Sequence, residues 1–334
     1  MSTAVQLVVT PGSGDGRALA IARAVRKQLI RQGYAPQMQL FGTLPSLIRW
    51  AKRCPADFSY LVAIGGDATM SAAAEAAVRL AVPYLPVPSG FGNLFTGTFE
   101  HPNDPAAVVE LLGGGDVISC DVGVAPSGTF LSHTSYGFLS RIQEDVEHVR
   151  RQPRRRALRL LAYYRAAAAR LSESLDAIEL EIDGAPVPGK AGLVTIANVE
   201  TYKGYLNLTP AASPADGLFD VCVIPRTTPA RVLSQLVKVM IDAPGARDEL
   251  SVFRGRNVRV RVNRRKPVDI RLLAGALPLL APAGALDRLQ ARQIAMQADA
   301  PVTTPTLDAP AASASAPAAA REHRERSTPP AEVA

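Results

Sequence analysis

Short apolar runs alternate with helix-forming segments through the first third of the chain. Residues 4–10 and 60–64 are apolar runs, and each is followed by glycines and then by a segment with helix-forming composition. A continuous apolar run of this length is typical of a strand that is covered on both faces. Strands that alternate with helices predict a parallel sheet with helices packed on its faces. The predicted strands cover residues 4–10, 38–41, 60–64 and 84–87, and the predicted helices cover residues 18–32, 44–53, 71–80 and 104–112.

The pattern changes after residue 115, where shorter segments alternate apolar and polar positions between turn residues. This alternation predicts an antiparallel sandwich, interrupted by one basic helix over residues 154–174. We therefore predict an α/β domain over residues 1–118 and a β-sandwich domain over residues 119–293. Residues 294–334 are mostly Ala, Pro, Thr and Ser, so they have too few large apolar side chains to fold and are predicted to be disordered. The predicted strands of the second domain cover residues 120–125, 129–134, 178–182, 192–198, 218–224 and 257–262.

Three glycine-rich segments follow predicted strands of the first domain. The first glycine loop is residues 11–17, the second is residues 65–69 and the third is residues 88–95. Glycine lets the backbone come close to a bulky ligand, and the N-terminus of the next helix presents free N–H groups to an anion. Loops at the carboxyl ends of neighbouring parallel strands lie where an open α/β sheet binds its ligand. The loops therefore predict a phosphate site, and the alternative is ordinary strand–helix turns that bind nothing.

The second glycine loop reads Gly-Gly-Asp-Ala-Thr, which resembles the Gly-Gly-Asp-Gly-Thr nucleotide loop of the diacylglycerol and sphingosine kinase family. The first glycine loop resembles the family's Asn-Pro-x-Ser-Gly-x-Gly motif, and the third resembles its Pro-x-Gly-Thr-Gly-Asn-Asp-Phe motif. The resemblance extends over residues 4–285. It implies a Rossmann-like α/β nucleotide-binding domain with a parallel sheet, followed by an antiparallel β-sandwich that binds lipid. It also implies a kinase that moves the γ-phosphate of ATP to a lipid hydroxyl with Mg²⁺.

By this likeness the three glycine loops would hold the nucleotide between them. Asp67 would be the acid nearest to the chemistry, as a metal-side or base candidate. Arg17 would meet a phosphate, or would be a solvated side chain in the first turn of its helix. The nucleotide-binding positions that the resemblance implies are Ser13, Gly14, Arg17, Gly65, Gly66, Thr69, Gly90, Gly92 and Asn93.

A second ordered series of motifs lies in the predicted sandwich. It consists of Asn198, a Pro-Ala-Ala segment at residues 210–212 and an Asp-Gly-Leu segment at residues 216–218. The series is similar to motifs of the same family, in which an acid at the Asp-Gly turn can hold a structural magnesium. The resemblance therefore makes Asp216 a metal-binding candidate. A turn aspartate without a metal is the alternative, because Asp-Gly is also an ordinary turn sequence.

Several positions depart from the family's motifs. Ala68 replaces a glycine of the second loop and Phe91 replaces the threonine of the third, which weakens the predicted nucleotide cradle. The family's base is usually in a late Asp-Gly-Glu motif, whereas here Ala274 and Ala276 flank Gly275. Loss of a general base lowers turnover by about 10²–10⁴-fold. Two further hypotheses follow: a catalytically impaired pseudokinase that binds lipid or nucleotide, and an NAD kinase, which shares the Gly-Gly-Asp turn.

The composition agrees with a globular protein of about two domains, since 47% of the 334 residues are hydrophobic and 20% are charged. No run reaches the roughly 20 apolar residues that span a bilayer. No basic segment followed by an apolar one marks a signal peptide, so we expect a cytoplasmic protein. The three cysteines and four histidines have no metal-ligand spacing.

The net charge is +7, which raises the question of an anionic partner. The densest positive cluster is at residues 150–159, where it would favour a peripheral contact with an anionic membrane. The alternative is a solvated helix face. No nucleic-acid-binding motif is present. We therefore expect a lipid substrate as the main partner and no nucleic acid, and the sequence does not give the oligomeric state.

Overall fold

The computed structural model describes residues 2–14, 16–90, 92–142, 165–166, 168–201 and 206–299, with side chains to residue 295. Most of the basic helix predicted over residues 154–174 lies outside the described residues. Phe91 and residues 300–334 of the predicted tail also lie outside them.

A parallel sheet forms the N-terminal part of the molecule. Its strands are β1 (Ala4–Val9), β2 (Ala35–Leu40), β3 (Tyr60–Gly65) and β4 (Tyr84–Pro88), in the spatial order β2-β1-β3-β4. Strand β1 pairs in parallel with β2 on one side and with β3 on the other. The winding of the chain therefore reverses between β1 and β3, and ligands of open α/β sheets bind at the carboxyl ends of strands at such a switch point.

Helices cover both faces of this sheet, as the apolar strands require. Helices α1 (Arg17–Arg31) and α5 (Pro105–Gly114) bury their apolar residues with those of β1, β3 and β4 on one face. Helices α2 (Leu44–Ala51) and α3 (Asp67–Leu80) do so on the other face, where the alanines of α3 allow close packing. A short helix, α4 (Leu94–Thr98), follows the third glycine loop. The predicted α/β architecture is confirmed.

The rest of the chain is dominated by antiparallel strands, which confirms the predicted sandwich-like part. Its elements surround a separate apolar core formed by residues such as Ile196, Phe219 and Val260. The strands are β5 (Asp116–Ala125), β6 (Gly128–Phe130), β7 (His133–Gly137), β8 (Ile178–Ile182), β9 (Ala185–Pro186), β10 (Ala191–Ala197), β11 (Phe219–Pro225), β12 (Ser251–Gly255), β13 (Asn257–Val262) and β14 (Val268–Ala281), with helices α6 (Pro229–Met240) and α7 (Ala285–Asp299).

Strand β14 joins the two parts of the molecule. Its first half pairs antiparallel with β13, and Leu279 near its end pairs in parallel with Tyr84 of β4. The described strands therefore form one continuous sheet. Helix α7 then packs Ala285 and Leu289 into the core of the N-terminal part. The prediction of disorder from residue 294 is wrong for residues 294–299, which continue α7 because Ala, Gln and Met are strong helix formers.

None of the helices in the described part of the chain is long and apolar enough to cross a bilayer.

Candidate functional site

The three glycine loops meet at the carboxyl ends of β1, β3 and β4. A β-carbon built on Gly14 would lie 1.7 Å from the backbone oxygen of Ser89, so the first and third loops are in direct contact. A β-carbon built on Gly90 would lie 2.9 Å from the Cα of Gly66, so the second and third loops are in contact too. Residues far apart in the chain thus surround one small region, and glycine is required at positions 14 and 90 for this close approach.

Close contact between the loops does not by itself require glycine at position 66. Gly66 has a φ of −101°, which any residue adopts, and a β-carbon built on it would lie 3.4 Å from Ser13 Oγ and 3.8 Å from Gly90 Cα. These are ordinary van der Waals distances, so a methyl group would fit between the loops without a clash. The space between Ser13, Gly66 and Gly90, which we call the loop gap, therefore has room for a methyl group.

Polar groups without protein partners lie beside the loop gap. Ser89 Oγ and Asn93 Oδ1 are buried and, within the described chain, have no hydrogen-bond partner. Gly66 caps α3 without any side-chain hydrogen bond, so the first N–H groups of that helix are also available. A buried polar group without a partner costs about 1–3 kcal/mol. The hydroxyl and the helix N–H groups fit a phosphate chain, which would accept hydrogen bonds from them.

Asp67 links the second glycine loop to the third. Its Oδ1 accepts a hydrogen bond from the backbone N–H of Leu94 at 2.9 Å. A β-carbon built on Gly92 would lie 2.7 Å from its Oδ2, so only glycine leaves room for this carboxylate. Burial raises the pKa of Asp67, and the backbone N–H groups of Leu94, Asn93 and Phe95 oppose the rise. The carboxylate thus orients the third loop and is an acid beside the loop gap.

Three other predicted residues support the loops from within the protein. The Thr69 hydroxyl donates to the hydroxyl of Thr10 at 3.0 Å and so ties α3 to the end of β1. Gly65 is needed because a β-carbon there would lie 2.5 Å from the Cβ of Thr69. The Arg17 side chain folds back, with its Nε donating to the carbonyl of Gly14 at 3.1 Å. Each of these contacts joins one part of the protein to another, so it supports the shape of the loops.

The residues around Asp216 do not fit the metal site that the resemblance implies. Its Oδ2 forms an ion pair with the guanidinium of Arg254, and its Oδ1 accepts the N–H of Leu218 at 3.1 Å. Burial raises the pKa of Asp216, while the charge of Arg254 opposes that rise. Among the described residues there is no group of three or more acidic, His or Cys side chains that could hold a metal ion. The positive charge at this turn is supplied by Arg254.

Asp121 is a central residue that the sequence analysis missed. Its side chain is 2% exposed, and its two carboxylate oxygens accept the backbone N–H groups of Gly217 and Gly275, each at 2.7 Å. Its own N–H donates to Pro214 O at 2.7 Å, and its carbonyl accepts from Asn198 Nδ2 at 2.9 Å. One residue of β5 therefore joins the Asn198 motif, the Asp-Gly turn and the late glycine turn. The available signal was a single acid in the otherwise apolar segment 120–125.

The late glycine turn interrupts the pairing of β14 with β5 and carries no acid. Gly275 has a φ of +59°, which favours glycine. Ala274 is exposed and Ala276 is half-buried. Asp269, earlier on β14, is engaged by Arg259, whose Nε lies 2.7 Å from Asp269 Oδ1. The stretch that resembles the family's late Asp-Gly-Glu motif therefore keeps its glycine, at a positive φ, and has no carboxylate.

Comparisons with known proteins agree with this geometry. Residues 4–125 match the diacylglycerol kinase catalytic domain, and residues 132–276 match the YegS C-terminal NAD kinase beta sandwich-like domain. A Pseudomonas putida protein named "Probable lipid kinase YegS-like" is 30% identical over 266 residues, which cover 78% of this chain and 83% of that protein. An uncharacterised Synechocystis protein is 24% identical over 243 residues, or 67% of this chain and 55% of that protein.

Solved structures share the fold. A crystal structure of a diacylglycerol kinase from Bacillus anthracis superimposes with a TM-score of 0.60. The match covers 85% of this chain and 98% of that chain at 15% identity. At 15% identity this likeness establishes the fold alone.

Proposed function

Because the chain belongs to the diacylglycerol kinase family of lipid kinases, we propose that it transfers the γ-phosphate of ATP to a hydroxyl group of a lipid. The observation that carries this proposal is the loop gap between Ser13, Gly66 and Gly90. It has room for a methyl group on Gly66, and the first N–H groups of α3 and the buried Ser89 hydroxyl, which has no partner in the described chain, lie beside it. These are the features that a chain of phosphates requires.

The glycine loops would bind and orient the triphosphate. The first N–H groups of α3 would donate to phosphate oxygens, together with the hydroxyl groups of Ser13 and Ser89. Asp67 would hold the backbone of Asn93 and Leu94 in place and would be the acid nearest to the phosphates. Phosphoryl transfer depends mostly on such positioning and on charge stabilisation.

Mg²⁺ would neutralise phosphate charge when bound with ATP. Magnesium in kinase sites keeps several waters and is bound by substrate phosphates with one or two carboxylates. The loop gap therefore needs no dedicated cage of acids, and Asp67 is the carboxylate that this proposal assigns to its neighbourhood. Asp216 has no part in it.

The assay that tests the proposal is transfer of radiolabelled phosphate from ATP to diacylglycerol, sphingoid bases and related lipids in the presence of Mg²⁺. We expect a labelled lipid, and we expect Asp67→Asn to lower its rate by about 10²–10⁴-fold, the range for a lost general base. Asn keeps an oxygen that can accept the N–H of Leu94, so the loop should stay folded. Asp269→Asn is the control, because Asp269 pairs with Arg259 on an exposed strand face. No labelled lipid from folded protein would contradict the proposal.

A second candidate is a kinase relative that binds ATP and has lost turnover. The late glycine turn favours it, since Ala274 and Ala276 cannot accept a proton. ATP binding without transfer to any lipid would identify this case. An NAD kinase is the third hypothesis, and NAD in place of the lipid in the same assay tests it; the lipid kinase relative at 30% identity favours the lipid.

A further inference from the structure

Three aspartates surround the Asp-Gly turn of the second part of the molecule. Asp216 belongs to the turn, Asp220 lies four positions later on β11, and Asp121 on β5 accepts the N–H of Gly217. Burial raises the pKa of Asp216 and of Asp220, and a neighbouring aspartate adds to each rise: Asp121 for the first and Asp216 for the second. Because carboxylates this close disfavour each other's charge, the turn needs a cation beside it.

Arg254 brings positive charge to this turn from the next strand. It is the register partner of Asp220 across β11 and β12, so the two side chains lie on the same face of the sheet. Its Nη2 forms an ion pair with Asp216 Oδ2, and its Nε lies 3.8 Å from Asp220 Oδ1. One guanidinium therefore contacts two carboxylates through two different nitrogens, which its rigid fork of donors allows.

Burial makes this contact important. The side chain of Asp220 is almost fully buried, while those of Asp216 and Arg254 are partly exposed. Within the described chain, Asp220 Oδ2 has no hydrogen-bond partner. A buried carboxylate is costly to ionise unless a cation lies against it. The partly exposed side of the group is where an ion from solution would enter if the guanidinium were absent.

The other polar groups of the turn are also engaged by the protein. Arg256 Nε donates to the carbonyl of Gly217 at 3.1 Å, and Asp121 accepts the N–H of the same glycine. The second oxygen of Asp216 accepts the N–H of Leu218. Both oxygens of Asp121 are occupied by backbone N–H groups. The turn is thus held entirely by contacts within the chain, and two carboxylates share the charge of one arginine.

We infer that Arg254 is a built-in counter-ion, which holds the Asp-Gly turn in place of a divalent cation, so that the turn binds no metal in the unchanged protein. Without the guanidinium, the carboxylates of Asp216 and Asp220 would face the space that it occupied. Mg²⁺ and Ca²⁺ bind carboxylate oxygens and complete their coordination with water, so that space should then accept either ion. The inference goes beyond the proposed function, in which Mg²⁺ enters with ATP at the other part of the molecule.

The test is thermal unfolding of the full protein without nucleotide, in EDTA and in millimolar MgCl₂ or CaCl₂. We expect the unchanged protein to unfold at the same temperature in all three. Arg254→Ala should unfold several degrees lower in EDTA, because it leaves a buried carboxylate without a cation. It should regain much of that loss as Mg²⁺ or Ca²⁺ is added, since an ion that binds only the folded state stabilises it. Arg254→Lys keeps the charge and should show no such gain.

Two controls separate a specific cation site from a general effect of divalent ions. Arg259→Ala removes an arginine that also pairs with two acids, Asp269 and Glu181, but on an exposed strand face. Exposed pairs of this kind contribute little, so we expect no recovery with Mg²⁺ or Ca²⁺. Arg254→Ala combined with Asp216→Asn removes one of the two carboxylates, and the recovery seen with Arg254→Ala alone should disappear.

Three results would overturn the inference. In the first, Mg²⁺ or Ca²⁺ stabilises the unchanged protein and Asp216→Asn abolishes that gain, so the turn binds a metal beside Arg254. In the second, Arg254→Ala is as stable as the unchanged protein in EDTA. In the third, Arg254→Ala is destabilised and divalent ions restore nothing, or restore Arg259→Ala equally. If Arg254→Ala is unfolded in EDTA, refolding from urea with and without Ca²⁺ makes the same comparison. No turnover is measured, so failure here is distinguishable from failure of the proposed activity.

Discussion

Asp121 and Gly275 are 154 positions apart in the sequence, yet the Asp121 carboxylate accepts the backbone N–H of Gly275 at 2.7 Å. The other carboxylate oxygen accepts the N–H of Gly217. Asn at position 121 has one oxygen and one NH₂ group, so Asp121→Asn leaves one of the two N–H groups without an acceptor. We expect a loss of about 1–3 kcal/mol in the free energy of unfolding, measured with urea.

The same variant tests whether the two turns that Asp121 holds take part in binding the lipid. If they do, Asp121→Asn should raise the KM for the lipid and leave the Kd for ATP unchanged. Asp269→Asn is the control, because it removes an acid from an exposed pair. Equal changes in lipid KM and ATP Kd would mean that Asp121 acts only through overall stability.

Arg292 joins the C-terminal helix to α4, the short helix that follows the third glycine loop. Its Nη2 donates to the backbone carbonyl of Thr98 at 2.6 Å, at the end of α4. The next residue, Gln293, donates to the carbonyl of Ala211 in the second part of the molecule at 3.3 Å. We expect Arg292→Ala to weaken ATP binding severalfold in a calorimetric titration, because α4 follows the nucleotide loop directly. Arg292→Lys should restore part of the loss.

The control for Arg292 is Arg288 on the same helix. Arg288 is exposed and its Nε lies 3.5 Å from Glu100, and exposed ion pairs of this kind contribute little. Arg288→Ala should bind ATP like the unchanged protein. Equal effects of the two alanine variants would show that the position of α7, and not the contact with Thr98, is what matters.

Restoring an acid at the late glycine turn should raise activity. Ala274 is exposed beside Gly275, whose backbone keeps the turn, so a carboxylate can be added without filling a packed core. We expect Ala274→Asp to raise the rate of lipid phosphorylation, by on the order of tenfold or more if the lost base limits turnover. Ala274→Asn has the same shape without the charge and should not. A rate unchanged in both variants would show that the reaction does not use an acid at this turn.

Asp220 should make stability depend on pH. The residue is 3% exposed, and burial raises the pKa of its carboxyl from 3.8 to about 7, an effect that Arg254 opposes. The folded state then holds the proton more tightly than the unfolded state. The stability that this provides is fully present below about pH 4 and is lost as the pH rises through about 7.

The measurement compares the free energies of unfolding of the unchanged protein and Asp220→Asn across that interval. The advantage of aspartate over asparagine should shrink with rising pH by on the order of a few kcal/mol. If the two free energies of unfolding differ by the same amount at both ends of the interval, titration of Asp220 does not contribute to the pH dependence of stability.

The sequence predicted the central strands of the N-terminal sheet, β1, β3 and β4, because each is a mainly apolar run that leads into a glycine loop. The prediction that Gly66 and the third glycine loop share one site rested on the rule for loops at carboxyl ends of parallel strands, and the structure brings them into contact. Strand β14 could not be placed so directly. Its pairing with β4 depends on the path of the whole chain, and local pattern does not reveal that path.

The contacts of the site were less predictable than its loops. Asp121 has partners 96 and 154 positions away, and no local pattern carries that information. The pairing of Asp216 with Arg254 was missed for the same reason, so a turn that resembles a metal site is neutralised by a guanidinium from another strand. Ser89 is not among the predicted site residues, because only the structure shows that its hydroxyl is buried without a hydrogen-bond partner in the described chain.

The central claim is that the loop gap holds the phosphates of ATP, and Gly66→Ala tests it most directly. The new methyl would occupy the gap at 3.4 Å from Ser13 Oγ, and the backbone at Gly66 accepts alanine. Calorimetric titration with ATP and Mg²⁺ should show binding to the unchanged protein and to Gly42→Ala, whose added β-carbon would meet nothing within 4 Å. Gly66→Ala should keep its thermal stability and lose most of that binding. Equal ATP binding by Gly66→Ala, or no binding by the unchanged protein, would contradict the claim.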